Sequence, residues 1–369
     1  MATDLAIFAA TSGHSGVDRV LRNLVPAIAG LGVRVDVLGI DGHGPVFNEL
    51  PEGVRHLPLG AAHVNTAIPA LIRYLRAERP TALLSDKDRV NRAALLARWI
   101  ARVPTRVGVR QGTTVSVNLA SRRASERWVQ TASMRWVYPF ADAVLVPSAG
   151  AADDLSAYAR LRREWIHVVP SPIVTPTLKL RADEGIKHPW FAGGEPPVIL
   201  GVGELSERKD FATLVRAFAR LRRERTCRLL ILGEGRRRGE LESLATELGV
   251  RADVELHGFV PNPYPYMMAA AVFALASRWE GMPVVLIEAL GLGRPCVACD
   301  CPSGPREVLD GGRVGPLVSV QDDEAFAEAL RRQLDAPTSE AISRAAVAGY
   351  TDVASARAYL AALGFEEFQ

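Results

Sequence analysis

Lysine is nearly absent from this sequence: Lys87, Lys179, Lys187 and Lys209 are four of 44 basic residues. With so much alanine, that imbalance reflects a GC-rich coding genome rather than a function. Cysteine is also scarce, with four residues, which excludes a disulfide scaffold and fits a reducing, cytoplasmic compartment. No apolar run approaches the roughly 20 residues needed to span a bilayer. The run at 5–10 is too short for a signal-peptide core and has no basic flank, so it is expected to be a buried strand. The 31 glycines show no triplet period, which excludes collagen. Low hydrophobicity and high net charge are both missing, with 48% hydrophobic residues and a net charge of +3, which excludes disorder as the main theme. What remains is a globular chain of 369 residues, a length that fits two domains.

The charge is unevenly placed. Residues 1–172 hold 21 basic and 14 acidic side chains, a net of +7, whereas 173–369 hold 23 and 27, a net of −4. A basic first half points to an anionic partner there, against the plainer reading of solvated arginines. Apolar, β-branched runs recur at 5–10, 33–40, 82–85, 106–110, 143–147 and 166–170, then at 198–203, 227–233, 254–259, 272–277, 296–300 and 316–320. Most are continuously apolar, as parallel strands covered on both faces must be. Helical spacing lies between them: Val17, Val20, Leu21, Leu24, Val25 and Ile28 in the first half, and Leu214, Val215, Phe218 and Leu221 in the second. Strand and helix alternating twice over predict two doubly wound α/β domains. The expected layout is a first domain over 1–172, a linker over 173–197, a second domain over 198–345, and a terminal helix within 346–369 crossing back onto the first.

Ligands in such sheets sit beyond the carboxyl ends of the strands, near helix N-termini. Three segments fall there. At 11–17, Thr-Ser-Gly-His-Ser-Gly-Val follows the first strand; it is either a close-approach turn for an anion or a plain capped turn. It lacks the G-x-G-x-x-G spacing of dinucleotide binders. At 201–210, Arg208 and Lys209 are adjacent cations able to neutralise a diphosphate; the alternative is a solvated turn. At 277–290, Glu280 precedes a helix expected to open at Pro283, and Glu288 lies inside it. Backbone N–H groups near Gly281, Met282 and Val284 are candidate phosphate donors. A carboxylate in an apolar helix needs a partner: a ribose diol or a buried arginine.

The spacing Glu280-x7-Glu288 with Gly293-x-Pro295, together with Gly201-Val202-Gly203 and Lys209, Leu230–Gly235, His257-Gly258-Phe259 and Ser303–Val308, resembles the glycosyltransferase family 4 pattern. The likeness covers 198–330; the first half matches more loosely. It implies a GT-B fold, two facing Rossmann-like domains with a cleft between them. It also implies a retaining transferase that moves a sugar from a UDP- or GDP-linked donor to a saccharide or lipid-linked acceptor without metal or other cofactor. By that resemblance Glu288 holds the donor ribose, Lys209 neutralises the leaving diphosphate and Glu280 contacts the sugar. Gly16 and Gly203 let backbone approach the donor, and Gly258 and Phe259 lie near the base. The sequence departs from the pattern at Glu204, where many members carry arginine, and Arg208 is the substitute cation. It departs also at Pro283, where many have glycine, and at Arg110, roughly where many have a sugar-contacting histidine. Arg110, Gln111, Asp86 and His14 are the candidates for acceptor or sugar contact.

Two motifs read as decoys. Asp86-Lys87-Asp88 looks like a metal-binding D-x-D but ends a strand, where capping or substrate contact is expected. Cys296-x2-Cys299-x-Cys301 lacks a fourth zinc ligand and alternates faces on a strand. The helix pattern at 121–136, with Arg122, Arg123 and Arg127 beside Trp128 and Trp136, is a candidate peripheral contact with the inner face of a membrane; the plainer reading is a surface helix with core aromatics. No nucleic-acid module is present. The resulting expectation is a transferase of bacterial surface polysaccharide or glycolipid assembly. Alternatives are a nucleotide-sugar 2-epimerase, a natural-product glycosyltransferase, or a non-catalytic sugar-nucleotide binder.

Overall fold

A computed structural model describes residues 3–11, 16–47, 49–120 and 122–368. The chain divides into two compact units, Met1–Ile173 with Tyr350–Gln369, and Val174–Gly349.

The first unit is built on seven strands: β1 (Leu5–Ala9), β2 (Val35–Gly39), β3 (Val54–Pro58), β4 (Ala82–Asp86), β5 (Arg106–Arg110), β6 (Ala143–Val146) and β7 (Ile166–Val168). Their order is β3-β2-β1-β4-β5-β6-β7, all parallel. The continuous apolar reading of β1 has a direct cause: all five residues are buried. Leu5, Ile7 and Ala9 pack with the helix Gly16–Gly30 and with Tyr359 and Leu360 of the terminal helix Asp352–Ala362. Ala6 and Phe8 face the opposite layer, with Leu71 and Leu75 of the helix Ile68–Glu78 and Ala94 of the helix Asp88–Ala101. Each large side chain buried this way contributes about 1.5–3 kcal/mol relative to exposure. Gly108 on β5 makes room for the terminal helix, since a Cβ there would stand 2.3 Å from Leu363 Cδ2.

The second unit repeats the plan with β8 (Val198–Val202), β9 (Arg228–Leu232), β10 (Val254–Gly258), β11 (Val272–Leu275), β12 (Cys296–Cys299) and β13 (Leu317–Val318), in the parallel order β10-β9-β8-β11-β12-β13. One core layer joins Ile199, Leu229 and Ile231 of the sheet to Leu214 and Phe218 of the helix Phe211–Arg222 and to Phe326 and Leu330 of the helix Asp323–Asp335.

Two differences from the sequence reading stand out. β3 was not expected. Its burial is confined to Val54 and, in part, Leu57, with Arg55, His56 and Pro58 exposed, so an edge position hides the apolar pattern that marks the inner strands. The stretch 173–197, expected as a linker, contains the helix Pro176–Ala182 and belongs from Val174 onward to the second unit. Where the chain leaves and re-enters the first unit, the Ile173 N–H donates to the Tyr350 carbonyl at 3.0 Å.

Candidate active site

In each sheet the strand order reverses its winding between two neighbours, β1 and β4 in the first unit and β8 and β11 in the second. Such a switch point leaves a crevice at the strand ends where ligands bind. The residues with the most distinctive chemistry in the second unit lie there.

Lys209 and Arg208 follow β8, and Ser277 and Glu280 follow β11. Glu280 Oε1 accepts from Lys209 Nζ at 2.7 Å and from Ser277 Oγ at 2.7 Å, and Oε2 accepts from Arg208 at 2.8 Å. Glu280 is 4% exposed and Lys209 7%, so the bond between them is charge-assisted, shielded from water and correspondingly strong, whereas the Arg208 side chain is partly open to solvent. The two loops are also tied through backbone, Arg278 N–H to the Arg208 carbonyl at 2.8 Å. Arg278 donates to Asp210 as well, at 3.1 Å. Glycines set the close packing beneath: a Cβ on Gly203 would lie 2.9 Å from Lys209 Cε, and one on Gly233 would lie 1.9 Å from the Gly203 carbonyl oxygen. No side chain fits the second position.

Glu288 sits in the helix Val284–Gly291, 1% exposed, and accepts from the Tyr264 hydroxyl at 2.9 Å. Tyr264, in the run Asn262-Pro263-Tyr264-Pro265-Tyr266, is a residue that sequence reading missed. Pro283 caps the helix rather than forming its first turn, and the Val284 N–H turns back to the Met282 carbonyl at 2.9 Å. Val284 is therefore corrected as a phosphate donor: its amide is already committed. The Gly281 carbonyl accepts from Ser303 at 3.2 Å. Gly304, at φ +98°, approaches Pro283 so closely that a Cβ would stand 2.4 Å from Pro283 Cδ, which seats the Ser303–Val308 segment against the turn. Gly258, at φ +101°, ends β10, with Phe259 beside it 74% exposed. Glu204, the residue that departs from the family pattern, points outward and is exposed.

Beside Gly258 lies a cluster not anticipated from sequence, His188, Glu255 and His257, with ligating atoms within 4.8 Å of one another. His188 Nδ1 accepts from the Trp190 N–H at 3.2 Å, and its Nε2 faces Glu255 at 3.3 Å. An imidazole whose Nδ1 accepts carries its proton on Nε2, so His188 donates to Glu255 rather than offering a lone pair to a metal. Burial acts to raise the Glu255 pKa, but hydrogen bonds from His257 and His188 more than offset it and hold it below its ordinary value.

In the first unit, His14 lies outside the described residues, and Gly16 opens the helix Gly16–Gly30. A cavity of about 770 Å³ at the strand ends is lined by Asp86, Lys87, Gln111, Gly112, Arg89 and Arg92 among others. Arg110 is corrected. It is 3% exposed, paired with Asp86 at 2.5 Å and donating to the Tyr359 hydroxyl at 2.7 Å. Its guanidinium joins the sheet to the terminal helix rather than reaching a ligand. Asp88 is held separately by Ser133 at 2.8 Å and Arg92 at 3.1 Å, so the two acids of the D-x-D sequence have different partners. Cys296, Cys299 and Cys301 are free and buried, and burial pushes the thiols of Cys299 and Cys301 up to about 12. On the helix Ala124–Trp136, Trp128 and Trp136 are 73% and 66% exposed while Met134 is buried, so the tryptophans are not core. Arg122, Arg123 and Arg127 are exposed too. No helix among the described residues is long and apolar enough to cross a membrane.

Solved structures share this architecture over nearly the whole chain. The lipopolysaccharide outer core galactosyltransferase WaaB superposes with a TM-score of 0.74 at 19% identity, covering 99% of this chain and 100% of that one. Anabaena Alr3699/HepE in complex with UDP gives a TM-score of 0.74 at 16% identity, covering 98% and 100%. At those identities the likeness establishes the fold: two α/β units of the GT-B class. Sequence defines the group more closely. Residues 15–172 match the family described as "Glycosyl transferase 4-like domain" and residues 196–336 that described as "Glycosyl transferases group 1". A Campylobacter jejuni protein, N-acetylgalactosamine-N,N'-diacetylbacillosaminyl-diphospho-undecaprenol 4-alpha-N-acetylgalactosaminyltransferase, is 30% identical over 341 residues, 90% of each chain. This chain belongs to the family 4 glycosyltransferases.

Proposed function

We propose that the protein transfers a sugar, with retention of anomeric configuration, from a UDP- or GDP-sugar held by the second unit to a saccharide or lipid-linked acceptor held by the first, in surface polysaccharide or glycolipid assembly. The observation that carries this reading is Glu280, buried at the β8/β11 switch point and bound by Lys209, Arg208 and Ser277. Cleaving the glycosyl–phosphate bond sends its electron pair to the diphosphate and leaves positive charge on the sugar. In this reading Lys209 and Arg208 neutralise the first, and the Glu280 carboxylate binds the sugar. The acceptor oxygen bonds the same anomeric carbon, and its proton departs with the diphosphate. Glu288 binds the ribose diol, and Gly203, Gly258, Phe259, Gly281 and Met282 surround the donor.

In this reading the cations supply the charge that a metal supplies elsewhere, so a chelator leaves the rate unchanged. Asp86 and Gln111 line the acceptor side. Arg122, Arg123 and Arg127, with Trp128 and Trp136, rest on the inner face of a membrane, in keeping with the C. jejuni relative named for an undecaprenol-linked substrate. The test is incubation with a panel of nucleotide sugars and acceptors, with product configuration read by NMR. An α-linked product from an α-linked donor, formed in the presence of EDTA, supports the reading. Donor isomerised at C2 without any acceptor identifies an epimerase instead.

A further inference from the structure

A second cavity, about 950 Å³, adjoins the polar one of the first unit, and Arg89 and Arg92 line both. Its remaining wall is largely apolar, with Leu95, Leu96, Trp99, Val103, Val137 and Phe140, and also carries Arg102 and Arg98, the latter paired with Asp142 at 3.5 Å. Trp99, Phe140 and Leu96 are 76%, 70% and 44% exposed. Large apolar side chains left in water and gathered in one concavity mark a surface suited to a ligand or partner.

Polarity changes along a single helix. In Asp88–Ala101, positions 89, 92, 96 and 99 recur at helical spacing and form one stripe, two arginines followed by leucine and tryptophan. The arginine end is the helix N-terminus, which favours anions. Arg92 is paired with Asp88 at 3.1 Å, whereas no acidic side chain among the described residues pairs with Arg89. From Arg89 to Trp99 the stripe runs roughly 15 Å at 1.5 Å per residue. The surface thus offers a polar chamber at the strand ends, then a cationic collar, then an apolar trough.

We infer that the first unit binds an amphipathic acceptor: a saccharide in the polar cavity, a phosphate against Arg89 and Arg92, and a hydrocarbon chain in the trough along Leu96, Trp99 and Phe140. This rests on the reading that the first unit takes the acceptor, and it narrows that acceptor to a lipid phosphate. Arginine suits the collar because its planar fork matches phosphate oxygens.

The test is isothermal calorimetry of the full chain with farnesyl monophosphate below its micelle-forming concentration, against inorganic phosphate and against phosphatidylglycerol vesicles. Farnesyl phosphate is expected to bind at least about 100-fold more tightly than inorganic phosphate, because the chain adds buried apolar area. Arg89→Ala should weaken it about tenfold, the effect of one charge-assisted bond. Leu96→Asp should weaken it at least about tenfold without altering the melting temperature, Leu96 being exposed already. Equal affinity for the two phosphates overturns the inference. So does farnesyl phosphate binding that survives Leu96→Asp, or adsorption to vesicles without binding of the monomer. Transfer to a soluble saccharide by a chain that ignores farnesyl phosphate overturns this inference and leaves the proposed function standing. Farnesyl phosphate binding by a chain that consumes no donor does the reverse.

Discussion

Glu288 is the residue whose assigned role gives the sharpest quantitative expectation. Glu288→Gln keeps the side chain's shape and leaves a carbonyl oxygen to accept from the Tyr264 hydroxyl, now at 2.9 Å. What disappears is the negative charge. A hydrogen bond to a charged acceptor contributes about 1.5–3 kcal/mol, so affinity for a nucleoside diphosphate should fall about 10- to 150-fold. Folding should be undisturbed, because a 1% exposed carboxylate is replaced by a neutral isostere that costs less to bury. Titration calorimetry with UDP and GDP measures the loss. The 2′-deoxy diphosphates complete a double cycle: the wild type should discriminate against them, and Glu288→Gln should discriminate less, because the charge that strengthens the bond to the diol is gone. Equal affinities in the two proteins, with an unchanged ribose-to-deoxyribose ratio, would refute the assignment.

Other expectations test the frame around the site. Arg110→Met leaves Asp86 buried without its cation and should cost about 3–5 kcal/mol, read as a fall in the melting temperature; Tyr359→Phe, which removes only a hydroxyl, should cost about 1 kcal/mol. Both hold if Arg110 supports the sheet, and a melting temperature unchanged by Arg110→Met contradicts that role. Asp36 gives a pH test. Burial raises its pKa, but hydrogen bonds from Arg55, Tyr74 and Thr3 outweigh burial and hold the folded value below the ordinary 3.8. As pH falls the unfolded chain takes up this proton first, so the stabilisation is complete above that ordinary value and is lost as pH drops through the folded one. Asp36→Asn should therefore flatten the acid limb of a stability–pH curve while lowering stability at neutral pH by about 1–3 kcal/mol; an unchanged acid limb counts against it.

Much of the architecture was legible because parallel strands covered on both faces must be continuously apolar. Eleven of the strands expected from such runs and β5 with its charged ends all appear, whereas β3 escapes because an edge strand with Arg55 and His56 exposed carries little of that pattern. In the second unit Lys209 and Glu280 drew notice because each follows a strand, and Glu288 because a carboxylate inside an apolar helix needs a partner. Spacing placed Lys209 and Glu280 at strand ends, though not the bonds between them, since 71 residues separate the pair. Arg110 was misjudged for a related reason. Register sets it opposite Asp86 on β4, and the Tyr359 hydroxyl comes from 249 residues away, so nothing local shows that its charge is already neutralised. Trp99 and Phe140 have the composition of core residues; only the packing of neighbouring helices reveals that they stand in an open trough.

The central claim is that the Lys209–Glu280–Arg208 cluster is where the sugar leaves its diphosphate. The measurement that bears on it most directly is kcat for transfer by Glu280→Gln at saturating donor, alongside its melting curve. A folded variant whose kcat falls by about 100- to 1,000-fold, the usual effect of removing one preorganised electrostatic contact, agrees with the account. A folded variant that turns over at the wild-type rate contradicts it.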